Sequence, residues 1–311
     1  MTAFLVTGGA GFIGSNLVDR LLEQGHAVRV LDDFSTGRRE NLAAARGRAE
    51  VVVGSVTDPE ACRQACRDIQ VVLHHAAAVS VPQSMADPAA THQVNVDGTF
   101  NLLLASRESG VRRFVFASSS AVYGESQQLP LPESQPPVPV SPYGASKAAG
   151  ELLCGAFTRA FKLQTVCLRY FNVFGSRQDP NSQYAAAIPA FLGRILRGLP
   201  PVVFGDGRQS RDFVHVDDVV RANLLAATAP VPSAAILNIA SGRALTVNQV
   251  IAAMNDVLGT SLAPQHAAPR PGDVRHSLAD VSLARQTIGY ESRLTLREGL
   301  SVALGWYRKN L

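Results

Sequence analysis

Short apolar runs rich in β-branched residues recur through the first half of the chain, and amphipathic stretches of helical period separate them. Phe4-Leu5-Val6, Val28-Arg29-Val30-Leu31 and Phe114-Val115-Phe116 typify these runs. The pattern predicts strands at 3–7, 27–32, 50–53, 70–74, 113–118 and 164–169. Helices are expected near 13–24, 59–68, 91–109 and 143–162. Strand and helix in alternation argue for an α/β fold, a doubly wound parallel sheet covered on both faces. After about residue 171 the rhythm breaks, and proline and glycine punctuate 175–210 and 264–273. A smaller, discontinuous C-terminal lobe is expected there. On this reading residues 1–171 and 212–240 form one domain, and 172–211 with 241–311 form a second. Phe213-Val214-His215-Val216 and Ile236-Leu237-Asn238-Ile239 would be strands that return to the main sheet. Six prolines between Leu129 and Pro142 predict an extended surface loop that runs straight into Tyr143.

Composition narrows the picture. A chain of 311 residues that is 46% hydrophobic can bury a large core. The formal charge of +4 comes without a lysine-rich tail or a basic stripe interleaved with aromatics, so nucleic acid is not an expected partner. A small anionic ligand would suit the modest positive excess, and so would an arginine-rich proteome. Cys62, Cys66, Cys154 and Cys167 show no second pair at zinc spacing, and reduced, partly buried thiols are expected. No apolar run approaches the roughly 18 residues of a membrane span, and no signal peptide is evident. The expectation is a soluble, cytoplasmic protein.

Chemistry enters with Gly8, Gly11 and Gly14, spaced G-x-x-G-x-x-G between the first strand and the first helix. Glycine tolerates positive φ and lets backbone approach a pyrophosphate, whose charge a helix N-terminus then meets. Asp32 ends the next apolar run, placed to accept hydrogen bonds from an adenosine ribose. Its carboxylate would repel a 2′-phosphate, which favours NAD over NADP, although Arg38 and Arg39 lie close. Farther on, Tyr143 and Lys147 stand four apart and would share a helix face. A neighbouring cation and an oxidised nicotinamide both favour tyrosinate, so the phenol could serve as a base near neutral pH. Ser118-Ser119-Ser120 ends the strand Phe114-Val115-Phe116, where active-site hydroxyls belong in such a sheet.

In these motifs the chain resembles an extended short-chain dehydrogenase/reductase with a Rossmann-type sheet, in the nucleotide-sugar 4-epimerase branch. The matching strings are TGGAGFIG at 7–14, His74-His75-Ala76-Ala77, Asn95-Val-Asp-Gly-Thr99, SSSAVYG at 118–124 and YGASK at 143–147. They continue with RYFNVFGSRQDP at 169–180, GDGRQSRDFVHVDD at 205–218 and RPGDVRHSLAD at 270–280.

The resemblance implies that Gly8, Gly11, Phe12, Ile13 and Gly14 cradle the pyrophosphate of NAD and that Asp32 holds the adenosine ribose. Asp33, Ser35, Thr36 and Gly37 would add adenosine-side contacts, and Ala76, Ala77, Asn95 and Tyr170 would line the nicotinamide half. Ser119, Tyr143 and Lys147 would be catalytic, with Lys147 bonding the nicotinamide ribose and lowering the phenol's pKa. Ser120, Asn172, Gln178, Ala187, Val203, Arg211, Arg270, Asp273 and Ser277 would face a UDP-sugar; an arginine's fork suits phosphate oxygens. The family usually carries an acid after the third strand where this chain has Gly54-Ser55-Val56, so Ser55 and Val56 would meet adenine instead.

The implied reaction inverts C4 of a UDP-hexose without consuming NAD. Ser277 stands where hexose-restricted epimerases carry a tyrosine and leaves space for a 2-acetamido group. UDP-N-acetylglucosamine/UDP-N-acetylgalactosamine is therefore the expected pair, with UDP-glucose/UDP-galactose also accepted. A UDP-glucuronate epimerase or decarboxylase is disfavoured by Ala121 and Val122, and a 4,6-dehydratase by Ser120-Ala121 in place of an Asp-Glu pair. A non-catalytic NAD-binding sensor would have been expected to lose the tyrosine or lysine. His74 and His75 end a buried strand without further ligands at suitable spacing, so no metal is expected. Asp217-Asp218 reads as a helix cap. A homodimer is expected through a four-helix bundle of the helices at 91–109 and 143–162.

Overall fold

In the computed structural model, residues 1–126, 128–180, 186–232, 234–268 and 275–310 are described. The first half of the chain begins β1 (Ala3–Thr7), α1 (Phe12–Glu23), β2 (Ala27–Asp32), β3 (Glu50–Val53), α2 (Pro59–Cys66) and β4 (Val71–His74). It continues with α3 (Val81–Ala86), α4 (Pro88–His92), α5 (Gly98–Glu108), β5 (Arg113–Ser119), α6 (Pro142–Phe161) and β6 (Gln164–Tyr170). Then follow β7 (Asn172–Phe174), α7 (Ala187–Ile195), β8 (Val202–Phe204), β9 (Ser210–His215), α8 (Val216–Thr228) and β10 (Ala235–Ile239). The chain ends with β11 (Ala244–Thr246), α9 (Val247–Leu258), β12 (Gln265–Ala267), α10 (Ser282–Ile288) and α11 (Leu296–Asn310).

The main sheet has seven parallel strands in the order β10-β6-β5-β4-β1-β2-β3. Parallel strands buried on both faces read as unbroken apolar runs, which is why the pattern was legible. Their side chains alternate between two cores. Phe4, Val6, Val28, Val30, Val115 and Val166 enter one core with Leu17 and Leu21 of α1 and Val219 and Ala222 of α8. Leu5, Leu31, Phe114, Phe116 and Cys167 enter the other with Cys62 of α2, Leu102 of α5 and Phe157 of α6. A third core, built around Phe174, Ile188, Val250 and Leu300, fills the C-terminal lobe.

The six expected strands lie within two residues of their predicted bounds. The helix expected over 91–109 is composite: α4, a π-helical turn at Gln93–Asp97, then α5. Such turns often mark functional sites, and this one carries Asn95. The sequence-based expectation for 213–216 needs correction. β10 joins the main sheet beside β6, with Ala235 opposite Val166. That fills the edge, so β9 instead pairs with β7 and β11 in a separate three-stranded sheet.

Other local expectations also shift. The proline segment is not wholly on the surface. Leu131 is buried against Tyr123, Phe171 and Ala279, and it is laced to the C-terminal lobe by Leu131 N–H to Leu278 O (2.8 Å) and Asp280 N–H to Leu131 O (3.0 Å). The cap of α8 is His215, whose Nδ1 accepts from Asp217 N–H; Asp217 and Asp218 lie in the first turn. Asp218 gathers the N–H groups of Arg293 and Leu294 instead. All four thiols are free and fully buried rather than partly so. Burial pushes Cys62 up to about 12 and Cys66 up to about 11. No helix among the described residues is long and apolar enough to cross a membrane.

Candidate active site

The C-terminal ends of β1, β2 and β4 converge on the glycine turn. Gly8 has φ +65°, a conformation in which a side chain is strained. Its N–H donates to Leu31 O (2.9 Å) and its carbonyl accepts Gly11 N–H (3.0 Å). A Cβ on Gly8 would lie 2.7 Å from Ala76 N, and one on Gly14 would lie 2.1 Å from Gly8 O. Both positions therefore need glycine for close packing. Gly11 caps α1, and Phe12 and Ile13 stand half-buried in its first turn. At the tip of β2, Asp32 accepts from Ala10 N–H and Phe34 N–H, both at 2.8 Å. Burial raises its carboxyl above the ordinary range, against those two bonds.

The adenosine-side residues of the resemblance gather next to it. A Cβ on Gly37 would lie 2.7 Å from the Asp32 carboxylate, and Thr36 is exposed beside it. Asp33 accepts from Ser35 N–H (3.0 Å) and Ser35 Oγ (2.6 Å). Burial pulls the Asp33 carboxyl upward, but bonds from Ser35 and Ser55 leave it below its usual value. The serine that replaces the family's acid thus reaches the same neighbourhood. Val56 is buried beneath it.

On the other side of the turn, a chain of hydroxyls and an imidazole holds the Ala76-Ala77 segment. Thr99 Oγ1 donates to Asn95 O (2.6 Å) and so accepts from His74 Nε2 (3.0 Å). His74 Nδ1 is then the acceptor for Thr7 Oγ1 (2.7 Å), which accepts in turn from the N–H groups of His75 and Ala76, both at 3.2 Å. This requires neutral His74. Burial first, then the Lys147 and His75 charges, hold its pKa well below the ordinary value. Asn95 clamps the next residue, with Oδ1 accepting Ala78 N–H (2.8 Å) and Nδ2 donating to Ala78 O (3.0 Å). The Tyr170 hydroxyl is spent on His75 Nε2 (3.0 Å) and Asn223.

The catalytic candidates meet where β5 ends against α6. Ser141 Oγ caps α6 by accepting Gly144 N–H, and proline sits in the first turn. Tyr143 follows, its phenol within electrostatic reach of the Ser119 side chain. One turn on, the Lys147 ammonium donates to Ala117 O (2.9 Å) and lies 5.9 Å from the Tyr143 ring centroid. Burial lowers Lys147 to about 8, against the opposing pull of Cys154 and Glu151. The lysine's expected pull on the phenol is not among the causes that set it here. In the protein's own groups, burial raises Tyr143 above its ordinary value and the Ser119 side chain opposes it. The ammonium is turned to a carbonyl rather than to the phenol.

The substrate-side candidates cluster around β7, β8 and β9. Asn172 Nδ2 donates to Asp212 O (3.1 Å), Gln178 Nε2 donates to Val173 O (3.1 Å), and Val203 is buried in β8. Arg211 Nη1 reaches Ser210 O (2.9 Å) and Arg275 O (3.1 Å). Ser277 is held by its N–H to Ser210 O (3.0 Å), and its buried hydroxyl has no partner among the described residues. Ser120 opens the turn after β5, and Ala187 opens α7. Arg270 and Asp273 lie outside the described residues.

The NAD dependent epimerase/dehydratase family model matches residues 4–240, most of the chain. The chain belongs to that family. A UDP-glucose 4-epimerase of Mycolicibacterium smegmatis is 38% identical over 308 residues, covering 98% of each chain. The fold superposes on a Methanobrevibacter ruminantium UDP-N-acetylglucosamine 4-epimerase solved with UDP-N-acetylmuramic acid (TM-score 0.96, 38% identity, 100% and 99% of the two chains). It also superposes on a Thermotoga maritima UDP-glucose 4-epimerase solved with UDP-glucose (TM-score 0.94, 40% identity, 99% of each chain).

NAD is the cofactor of this epimerase/dehydratase, and two observations fit the site to it. The glycine turn leaves no room for a Cβ at Gly8 or Gly14, and a helix N-terminus and an aspartate flank that turn. Sequence reasoning missed Thr7, Ser84, Ser146 and Thr99. Ser84 Oγ accepts Tyr143 N–H (3.2 Å) and Ser146 Oγ accepts from Asn95 Nδ2 (2.9 Å). A lone serine or threonine carries no sequence signal, since its role depends on a partner from a distant element.

Proposed function

We propose that this protein is a UDP-sugar 4-epimerase that retains NAD through turnover. The observation that carries the reading is the Tyr143 phenol, set beside the Ser119 side chain and one helical turn from Lys147. Bound NAD supplies a hydride acceptor and donor for C4 of the sugar. Gly8, Gly11 and Gly14 would hold its pyrophosphate and Asp32 its adenosine ribose. Tyr143 then takes the proton of the 4-hydroxyl and later returns one to the same oxygen after the sugar has turned over. Ser119 keeps the phenol oxygen aimed at that hydroxyl. Lys147 supplies positive charge that favours tyrosinate once a second cation joins it, countering the burial that raises the phenol. Asn172, Val203 and Arg211, with Arg270 and Asp273, would grip the UDP and leave the hexose free to rotate.

The finer reading is that N-acetylated sugars are accepted along with plain ones. Ser277 supports it, because a small side chain with an unpartnered hydroxyl occupies the gate position. Gln178 and Ala187 also resemble the residues of epimerases that prefer N-acetylated sugars. Phe100, Leu152 and Phe161 are exposed on α5 and α6, and the same reading makes them the face on which two copies pair as a four-helix bundle. Size-exclusion chromatography with light scattering would test that pairing. Incubating the protein with UDP-glucose, UDP-galactose and their 2-acetamido counterparts, and resolving the products by chromatography, tests the substrate. Interconversion within both pairs is expected. Turnover of none would refute the epimerase reading, and turnover of the plain pair alone would refute the gate.

A further inference from the structure

Tyr143, Lys147 and Glu151 stand at four-residue spacing along α6 and face the last three residues of β5, two of them gripping it. The phenol lies within electrostatic reach of the Ser119 side chain, the ammonium bonds Ala117 O (2.9 Å), and Glu151 Oε1 accepts from Ser118 Oγ (2.5 Å). The Glu151 grip is tied to a neighbouring strand. Arg169 of β6 lies opposite Ser118 in the ladder, and it grips Glu151 with both arms, Nε to Oε1 (2.8 Å) and Nη2 to Oε2 (2.7 Å). Side-chain exposures are only 2% for Arg169 and 3% for Glu151. Arg169 is seated further by the Tyr123 ring, 4.6 Å from its guanidinium carbon. The Tyr123 hydroxyl donates to Asn238 Oδ1 (2.8 Å), and Glu133 of the proline segment accepts Asn238 N–H (2.7 Å).

A buried ion pair is a poor device for stability, because apolar residues of similar volume often serve as well. What it does supply is register. Any slide of α6 along β5 would leave a carboxylate and a guanidinium buried and unpaired, which is strongly opposed. We propose that Glu151, locked by Arg169, is a positioning residue that sets the register of Tyr143 and Lys147 against Ser119. Glu151 touches no reacting atom; it acts through the strand and helix that carry them. Misplacement of about 1 Å at a reacting group can cost on the order of a hundredfold in rate.

The test compares wild type with Glu151→Gln, the double variant Glu151→Gln/Arg169→Met, and Ser118→Ala. The readouts are kcat, KM for UDP-glucose, bound NAD per chain and the thermal midpoint. Glu151→Gln should lower kcat about 10- to 100-fold, with KM and bound NAD little changed. The double variant removes both charges, so its thermal midpoint should recover toward wild type while kcat stays low. Ser118→Ala cuts only the link to β5 and should lower kcat severalfold without moving the midpoint. A purely structural role would instead lower the midpoint and NAD content and leave kcat per NAD-loaded site intact. The inference is overturned if kcat in Glu151→Gln or Ser118→Ala stays within about twofold of wild type, or if the double variant regains full kcat. Should Glu151→Gln not fold, the other two variants decide by the same criteria. The inference rests on the epimerase reading, and wild-type turnover in the same assay separates a failure of one from a failure of the other.

Discussion

Replacing Gly14 by alanine puts a methyl group where the nucleotide turn has no room. The new Cβ would sit 2.1 Å from Gly8 O and 2.8 Å from both Gly8 C and Gly9 Cα. A relaxed carbon–oxygen contact needs about 3.3 Å, so turn and helix must separate by about 1 Å. Neither side yields easily. Gly8 is tied to Leu31 and Gly11 through backbone bonds of 2.9 and 3.0 Å. Helix α1 is anchored by Leu17, Val18, Leu21 and Leu22 in the core. Overpacking of this kind costs about 1–3 kcal/mol, and losing the Gly11–Gly8 bond adds about 1 kcal/mol. Together they come to about 2–4 kcal/mol, or about 3–6 °C in thermal midpoint for a chain of this size. NAD held by that turn should weaken by tenfold or more, since the pyrophosphate loses its close approach to the backbone. The assay is NAD released per chain on acid denaturation, beside a calorimetric melt. Gly305→Ala is the control. Its Cβ meets nothing within 4 Å, and the exchange on the exposed face of α11 should stabilise by about 0.5–1 kcal/mol with NAD content unchanged. If Gly14→Ala keeps full NAD and melts within about 1 °C of wild type, the packing argument is wrong.

Further outcomes follow from the same geometry. Tyr143→Phe should cut kcat by about 100-fold or more while bound NAD stays at wild-type level, measured by product chromatography and NAD release. Lys147 has a folded value of about 8, below the ordinary 10.5. Between those two pH values Lys147 binds more protons in the unfolded chain than in the folded one, so its contribution to stability rises with pH across that window. The buried thiols and the Tyr143 phenol act in the opposite sense in both proteins, so urea midpoints taken through the window should fall more steeply, or climb less, in Lys147→Met than in wild type, and the variant should also lose about 100-fold or more in activity. Equal slopes in the two proteins would contradict the buried-lysine account. Ser277→Tyr should suppress turnover of the 2-acetamido sugars by about tenfold or more and spare UDP-glucose, read as a change in the ratio of kcat/KM values. An unchanged ratio would remove Ser277 from the gate.

Much of this architecture is written in local chemistry. Strands covered on both faces must be apolar at successive positions, so β1, β2, β5 and β6 announce themselves, and helices between them follow from period. The glycine turn is legible because steric exclusion of a Cβ is a property of one residue and its immediate neighbours. Tyr143 and Lys147 are legible because a helix sets their spacing. The rest required the strand order. Ser119 reaches Tyr143, Arg169 reaches Glu151, and Thr7 reaches His74 only because β1, β4, β5 and β6 lie side by side. The same holds where expectation failed. β9 was displaced from the main sheet because β10 already fills the edge beside β6, and Leu131 was drawn inward by the backbone of Leu278 and Asp280. The phenol's elevated pKa likewise reflects burial, which no i, i+4 spacing encodes. Local sterics and periodicity act within a few residues and survive in the linear chain. Partnerships between elements far apart in sequence, and the desolvation they impose, exist only once the layers have packed.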